Sequence, residues 1–426
     1  MKNILFAALA SAALLPAPAW AQQDQHLAHP AMQGMGHDEA GMDGEAEPST
    51  PLTSQGSGTA GQPGLEGQMH GLHIMSGAWM IMVHGNATLH YTDHSGLRGD
   101  DKTYATSMAM IEGRRDTAWG SVQLRTMMSL EPLMNARGYP NLFATGETAD
   151  GLPLVDRQHP DDLFMELAGR TDIDLGKGAS LFLYGGPVAE PALGPSAFMH
   201  RASAKYNPEP PITHHWFDST HITYGVVTVG LATRHWQLEG SAFRGAEPDE
   251  KRWGIESPKL DSWSVRATWA PSASWAVQAS YGEIHQPEST HPGEDEHRLT
   301  SSVHFNNGRR LAAMVGFSAK DRVPGPRLTA WIAEVNWDID DANTLFSRVE
   351  NVANDELFPD HADPLHDVAF RVTKGQAGYA RRVSLSPFEL AIGGSLNLYG
   401  KPRALNAAYG RNPWGYTIFA RISLGS

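Results

Sequence analysis

Ten histidines and methionines crowd the region that follows the first twenty-one residues: His26, His29, Met32, Met35, His37 and Met42, then Met69, His70, His73 and Met75. Thioether sulfur suits Cu(I), and imidazole suits Cu(II) and Zn(II). A mobile chain carrying both can wrap one ion with several weak ligands, which is the chemistry of a buffer or handover arm. Copper ions are the expected bound species, exchanged rather than tightly held as a cofactor. The competing reading is a compositionally biased linker whose His and Met are incidental. The surrounding residues are Gly, Pro, Ser, Gln and acids, with almost no aromatic or β-branched side chains. Such a segment buries too little apolar surface to offset its ordering entropy, so residues 22–75 are expected to be disordered.

A second set of ionisable residues recurs on the polar phase of alternating segments: Arg125, Glu166, Arg170, Glu239, Arg266, Arg298, Arg310, Glu334, Arg348, Arg371, Glu389 and Arg421. Lining a pore, the arginines would focus a field that favours anions. Paired with the glutamates, the same residues would only solvate a lumen. The densest charged run, Asp156, Arg157, His159, Asp161 and Asp162, closes a long link near 131–161. Folded inward it would form a constriction that sets selectivity; otherwise an Asp–Arg cross-link merely holds the loop. Loop histidines, His214-His215, His221, His285, His291, His297, His361 and His366, form a weaker set able to catch a divalent ion. Ser219 beside Asp218 and His221 imitates a hydrolase triad in sequence only. No Gly-x-Ser-x-Gly, His-Glu-x-x-His or phosphate loop is present, and no enzymatic activity is expected.

These groups need elements to place them. From Trp79 onward the chain reads as short segments of period two, such as Trp263, Val265, Ala267 and Trp269 against Ser264, Arg266 and Thr268. About 16 strands (between 14 and 18) of roughly 9–12 residues are expected, the length of a tilted strand that crosses a bilayer. Links alternate short and long. Long ones fall near 94–102, 131–161, 187–219, 246–260, 286–297, 319–326, 351–366 and 400–412. That pattern predicts an all-β fold: a transmembrane antiparallel up-and-down β-barrel over residues 76–426, with both termini periplasmic. Trp119, Trp236, Trp263, Trp269, Trp275, Trp331, Trp337, Trp414 and Tyr416 fall near strand ends on the apolar phase, as aromatic girdles do. Segments near 103–112 and 328–337 fit either phase, and Thr373–Gly378 calls for a bulge or phase slip.

Residues 1–21 read as a secretory signal peptide: Lys2, an apolar run from Ile4 to Leu15, and Ala19-Trp20-Ala21 before cleavage. The 426 residues include no cysteine, which excludes disulfides, thiolate metal sites and a lipid anchor at the mature N-terminus. A net charge of −14 without basic clusters excludes nucleic acid as a partner.

The leader, the His/Met-rich arm, the barrel pattern and the run Asp156-Arg157-Gln158-His159-Pro160 with Asp162-Leu163-Phe164-Met165-Glu166-Leu167 resemble a group of proteobacterial outer-membrane β-barrel proteins associated with copper resistance. The layout is similar to copper-resistance protein B in architecture and N-terminal arm. The resemblance implies an outer-membrane barrel that binds or passes metal ions, copper first, through a periplasmic arm. Its partners would be outer-membrane lipid, small solutes or metal ions, and periplasmic copper proteins. The alternative is a general or anion-preferring porin with no metal role, and the third reading is a barrel enzyme.

Overall fold

The computed structural model describes residues 52–67 and 71–425. Sixteen antiparallel strands close into a single barrel. In chain order β1 is Trp79–His94, β2 Asp101–Thr117, β3 Gly120–Met128, β4 Phe164–Gly176 and β5 Ala179–Ala189. Next come β6 Thr223–Ala232, β7 Trp236–Phe243, β8 Ser262–Ser272, β9 Trp275–Ile284 and β10 Asp295–Asn306. The ring is completed by β11 Leu311–Val323, β12 Arg327–Asp338, β13 Asn343–Asn354, β14 Phe370–Leu385, β15 Phe388–Gly400 and β16 Trp414–Leu424. Closure is direct, with Tyr416 of β16 opposite Asp93 of β1 and Leu424 opposite Gly85. A short strand, Leu72–Ser76, pairs with the first residues of β1 and extends the seam beyond the end of β16.

Alternation makes this barrel inside out relative to a soluble protein. Val227, Val229, Leu238, Val265, Leu299 and Val303 are exposed on its exterior, while Thr228, Ser241, Ser264, Thr268 and Ser302 are buried within. An apolar outer belt around a polar interior is stable only where hydrocarbon replaces water, and a closed ring leaves no backbone group unpaired there. Trp236 stacks on Trp269, their ring centres 5.8 Å apart, at the short-turn end, and Trp414 opens β16 at the long-loop end. Short turns use the hairpin geometry that strand twist favours: Lys177 and Gly178 both take positive φ, 54° and 73°.

Three sequence expectations are corrected. The link near 319–326 is not long, because β11 continues to Val323 and only three residues, Pro324, Gly325 and Pro326, separate it from β12. Lys320 and Arg322 read as loop residues, yet both point inward and are buried against carboxylates. Thr373–Gly378 needs no bulge, since β14 pairs with both neighbours without a register shift. Arg371 is exposed and Phe370 and Val372 are buried, the reverse of the expected phase. Here the lumen itself is apolar: Leu142, Phe143, Trp216 and Phe217 from loops meet Leu328, Ile332, Val352, Phe370 and Val372 from the wall. Apolar residues therefore face inward wherever a loop supplies an apolar partner.

Candidate functional site: the lumen

Three segments enter the ring. Loop 2 (residues 129–163) contains a hairpin of Tyr139–Ala149 and Leu152–Gln158, loop 3 spans residues 190–222, and a small hairpin of Thr53–Gln55 and Gly61–Pro63 precedes the barrel. That last hairpin lies in the stretch expected to be disordered. It binds the wall through polar bonds: Gln237 donates to Thr59 O (2.7 Å), Gln278 to Gly61 O (2.9 Å) and Arg266 to Thr59 Oγ1 (2.9 Å). Composition rules weigh apolar burial only, whereas a polar lumen holds a polar segment by hydrogen bonds. Gln62 also donates to His200 O at 2.9 Å, which ties the hairpin to loop 3.

Loop 3 is bound along its length. Arg201 bridges Glu334 of β12 and Asp218 of its own loop, at 2.9 Å each, and Arg348 of β13 holds the same Glu334 at 2.8 Å. Farther along, Glu209 pairs with Lys374 of β14 at 2.7 Å and accepts from Asn397 and Thr417. Thr213 donates through backbone and hydroxyl to Glu350. Near the short-turn end, Tyr206 donates to Glu389 at 2.6 Å and Arg421 to Lys205 O. Arg201, Glu209, Lys320 and Lys374 are the main luminal charges that sequence reasoning missed. The two lysines keep strand parity, but the two loop residues carried no such signal.

Most expected pore residues do face inward, and they are paired. Arg125 meets Glu112 (2.9 Å) and Glu166 (3.6 Å), Arg170 meets Asp172 (2.8 Å), Arg266 meets Glu239 (2.9 Å), and Arg298 meets Glu296 (2.5 Å). Two do not line the lumen. Arg310 sits in the turn before β11, exposed beside Asp341, and Arg371 bonds Asn351 and Thr329 on the exterior.

The expected constriction residues separate. Asp156 is buried and accepts from Phe143 N (2.8 Å) and the Tyr409 hydroxyl (3.1 Å), with Arg98 3.5 Å away. Burial pushes its carboxyl up to about 6, against the pull of those donors. Arg157 instead reaches Asp100 at 2.7 Å, so no Asp156–Arg157 cross-link forms. Asp162 accepts from Arg252 and Tyr224. Asp161 lies 3.6 Å from His221.

The loop histidines divide likewise. His159, His214, His215 and His221 gather where loops 2 and 3 meet, with ring centres 5.1–5.9 Å apart for the touching pairs. Burial, with Arg252 and the other two imidazoles nearby, holds His159 well below the usual histidine range. Burial opposes charge on His215 too, but the Glu247 carboxylate overrides it and raises that ring to about 9. His285 pairs with Asp295, and His361 with His366, away from this cluster. His297 packs near Tyr281. Ser219 accepts from Arg298, while His221 uses the Asp218 carbonyl, so neither bond joins the imitation triad.

Of the arm's ligands, His26, His29, Met32, Met35, His37, Met42, Met69 and His70 lie outside the described residues. His73 and Met75 share one face of their short strand, in register with Met82 and Met80 of β1. Beyond them Met82, Met108, Met110, Met127 and Met165 form one buried cluster on the inner wall of β1 to β4.

At the short-turn end a cavity of about 890 Å³ opens among Thr59, Glu112, Arg125, Arg170 and Asp172. A separate, small space of about 90 Å³ lies beside Glu131, Tyr139, Asp161 and Lys205. The short-turn end of the lumen is thus a wide vestibule lined by charges of both signs, with loops 2 and 3 packed inside the ring beyond it.

No family model matches the chain, and no curated protein does. Solved structures do. OmpF of Salmonella typhi, in complex with daunomycin, aligns at TM-score 0.51 and 7% identity, over 82% of this chain and 100% of that one. OprB of Pseudomonas putida, in its high-pH structure, aligns at TM-score 0.50 and 9% identity, over 81% of this chain and 94% of that one. The chain has the fold of the outer-membrane porin barrels.

Proposed function

We propose that the chain is an outer-membrane channel of the porin type, with both termini on the periplasmic side, for ions and small hydrophilic solutes. The observation that carries this is the inverted barrel: an apolar belt outside, and inside it a charge-lined vestibule of about 890 Å³. A structural barrel has no need of such a vestibule. Because Arg125, Arg170, Arg201, Arg266, Arg298 and Arg348 each face a carboxylate, with Arg421 on a backbone carbonyl instead, the field inside is largely balanced, and strong anion preference is not expected. Loop 3 and the N-terminal hairpin hold the throat narrow. Planar-bilayer recording with a KCl gradient tests the reading. Small conductance steps with weak ion selectivity are expected; silence in both the native chain and a variant with loop 3 released would count against a channel.

A second reading, that the solute is a soft metal ion such as copper, draws support from the methionines. The strand bearing His73 and Met75 pairs with Met82 and Met80, and Met82 begins the buried cluster, so thioethers run from the arm into the wall. Methionine also fills gaps in cores. Replacing Met82, Met110 and Met127 by leucine keeps the packing and removes the sulfur. Lower Cu(I) uptake into liposomes, with KCl conductance unchanged, is the outcome this reading requires.

A further inference from the structure

We propose a divalent transition-metal site within the lumen, formed by His159 of loop 2 and His214 and His215 of loop 3. One ring nitrogen from each of the three lies within 4.8 Å of the others. All three side chains are more than nine-tenths buried. A tetrahedral zinc ion held at about 2.0–2.1 Å places its nitrogens roughly 3.4 Å apart. Side-chain rotation of about an ångström closes that difference.

Two further observations point to a ligand. Both ring nitrogens of His215 are buried without a hydrogen-bond partner, which an imidazole in a packed interior does not ordinarily tolerate in either charge state. The carboxylates are also disposed as they are behind metal-binding histidines. His214 Nδ1 lies 2.9 Å from Asp218 and His215 Nδ1 lies 3.2 Å from Glu247. At His214 the hydrogen bond of Nδ1 to the carboxylate fixes the tautomer that leaves Nε2 with its lone pair free for an ion. Glu147 lies 3.3 Å from His159 Nε2 through Oε1 while its other oxygen is held by Arg252, so the fourth position falls to a water rather than to this carboxylate.

Two neighbouring groups are weaker candidates because a protein cation already occupies them. Glu288, which with His215 and Glu247 makes one, is bonded to Lys320 at 2.6 Å. The other, of Glu288, His291 and Glu356, has the Arg322 guanidinium against His291. Three imidazoles without cysteine select Zn(II), Cu(II) or Ni(II) rather than calcium or magnesium. Since the ligands come from two loops that cross the lumen, a bound ion would staple loop 2 to loop 3 and hold the throat shut.

The site does not depend on conduction. The full chain is stripped with a chelator in detergent and titrated with Co²⁺, then back-titrated with Zn²⁺. The native chain is expected to develop the strong visible bands of four-coordinate cobalt, which Zn²⁺ abolishes. His159→Asn and His215→Gln should each lose those bands and retain one fewer zinc per chain after desalting. His285→Asn, outside the cluster, should keep both, and the arm's own weak sites are common to all four proteins. Equal zinc content and equal spectra in all four would overturn the proposal, whatever the bilayer recordings show.

Discussion

Arg201 Nε lies 2.9 Å from Glu334 Oε2 and its Nη2 lies 3.0 Å from Oε1, a two-pronged bond from loop 3 to the barrel wall. Both side chains are about 1% exposed, so the pair is held with little competition from solvent. Stranding a buried charge costs about 3–5 kcal/mol, but Glu334 would keep Arg348 and Asp218 would keep His214, so removing Arg201 costs less than that. Arg201→Ala should therefore release loop 3 rather than unfold the ring, whose strands pair independently of it. Amides of residues 196–218 would exchange faster, and bilayer conductance would rise several-fold. Unchanged conductance alongside faster exchange would mean that loop 3 is not the gate.

Glu209 offers a cleaner test, because its partner can be neutralised as well. Glu209→Gln leaves Lys374 buried with a much weaker partner, while its remaining side-chain oxygen can still accept from Asn397 or Thr417. The double variant Glu209→Gln with Lys374→Met removes both charges, and should recover most of the lost thermal stability. A double variant as unstable as the single one would show that the glutamate acts through its neutral hydrogen bonds, not the ion pair.

Gly146 has φ 102°, and a Cβ built there would lie 2.4 Å from the His215 imidazole. Gly146→Ala must strain the backbone and displace that ring. The expected result is weakened cobalt binding with barrel strands unaffected, read from visible spectra and far-ultraviolet circular dichroism. Intact cobalt bands would place the ion away from His215.

The carboxyl of Asp156 titrates near 6 when the loop 2 hairpin is docked, above its ordinary 3.8, because burial outweighs the donors around it. Below about pH 4 it is protonated in both docked and free hairpin. As pH rises towards 6 the free hairpin ionises first, so docking weakens by up to about 3 kcal/mol. Protease cleavage within 139–158 should be faster at pH 7.5 than at pH 4.5 when each rate is normalised to an unfolded substrate. Asp156→Asn should flatten the difference; the same slope in that variant would assign the effect to another group.

Removing residues 53–67 takes the small hairpin off Gln237, Gln278 and Arg266. A larger single-channel conductance with an unchanged heat-stable barrel is expected. If conductance stays the same, the narrow point lies wholly within loops 2 and 3.

The strand pattern by itself settled the ring and its polarity toward lipid. Val265 and Ser264, or Leu299 and Thr300, alternate so strictly that only one phase puts the apolar set outside. Turn positions followed to within a few residues, since the short links near 174–177 and 271–274 carry Asp, Gly, Pro and Ser, and the observed turns fall at 177–178 and 273–274. What fills the ring was not legible. Local alternation puts Arg371 on the inward phase, yet it lies outside because Phe370 and Val372 join a core with loop residues such as Phe143 and Trp216, which are distant in sequence. His159 and His215, separated by more than fifty residues, gain meaning only when two loops fold back through the same lumen. Alternation is a local property of one strand and its solvent on either side. Which loop enters, and which charge meets which, depends on contacts between segments that no local period encodes.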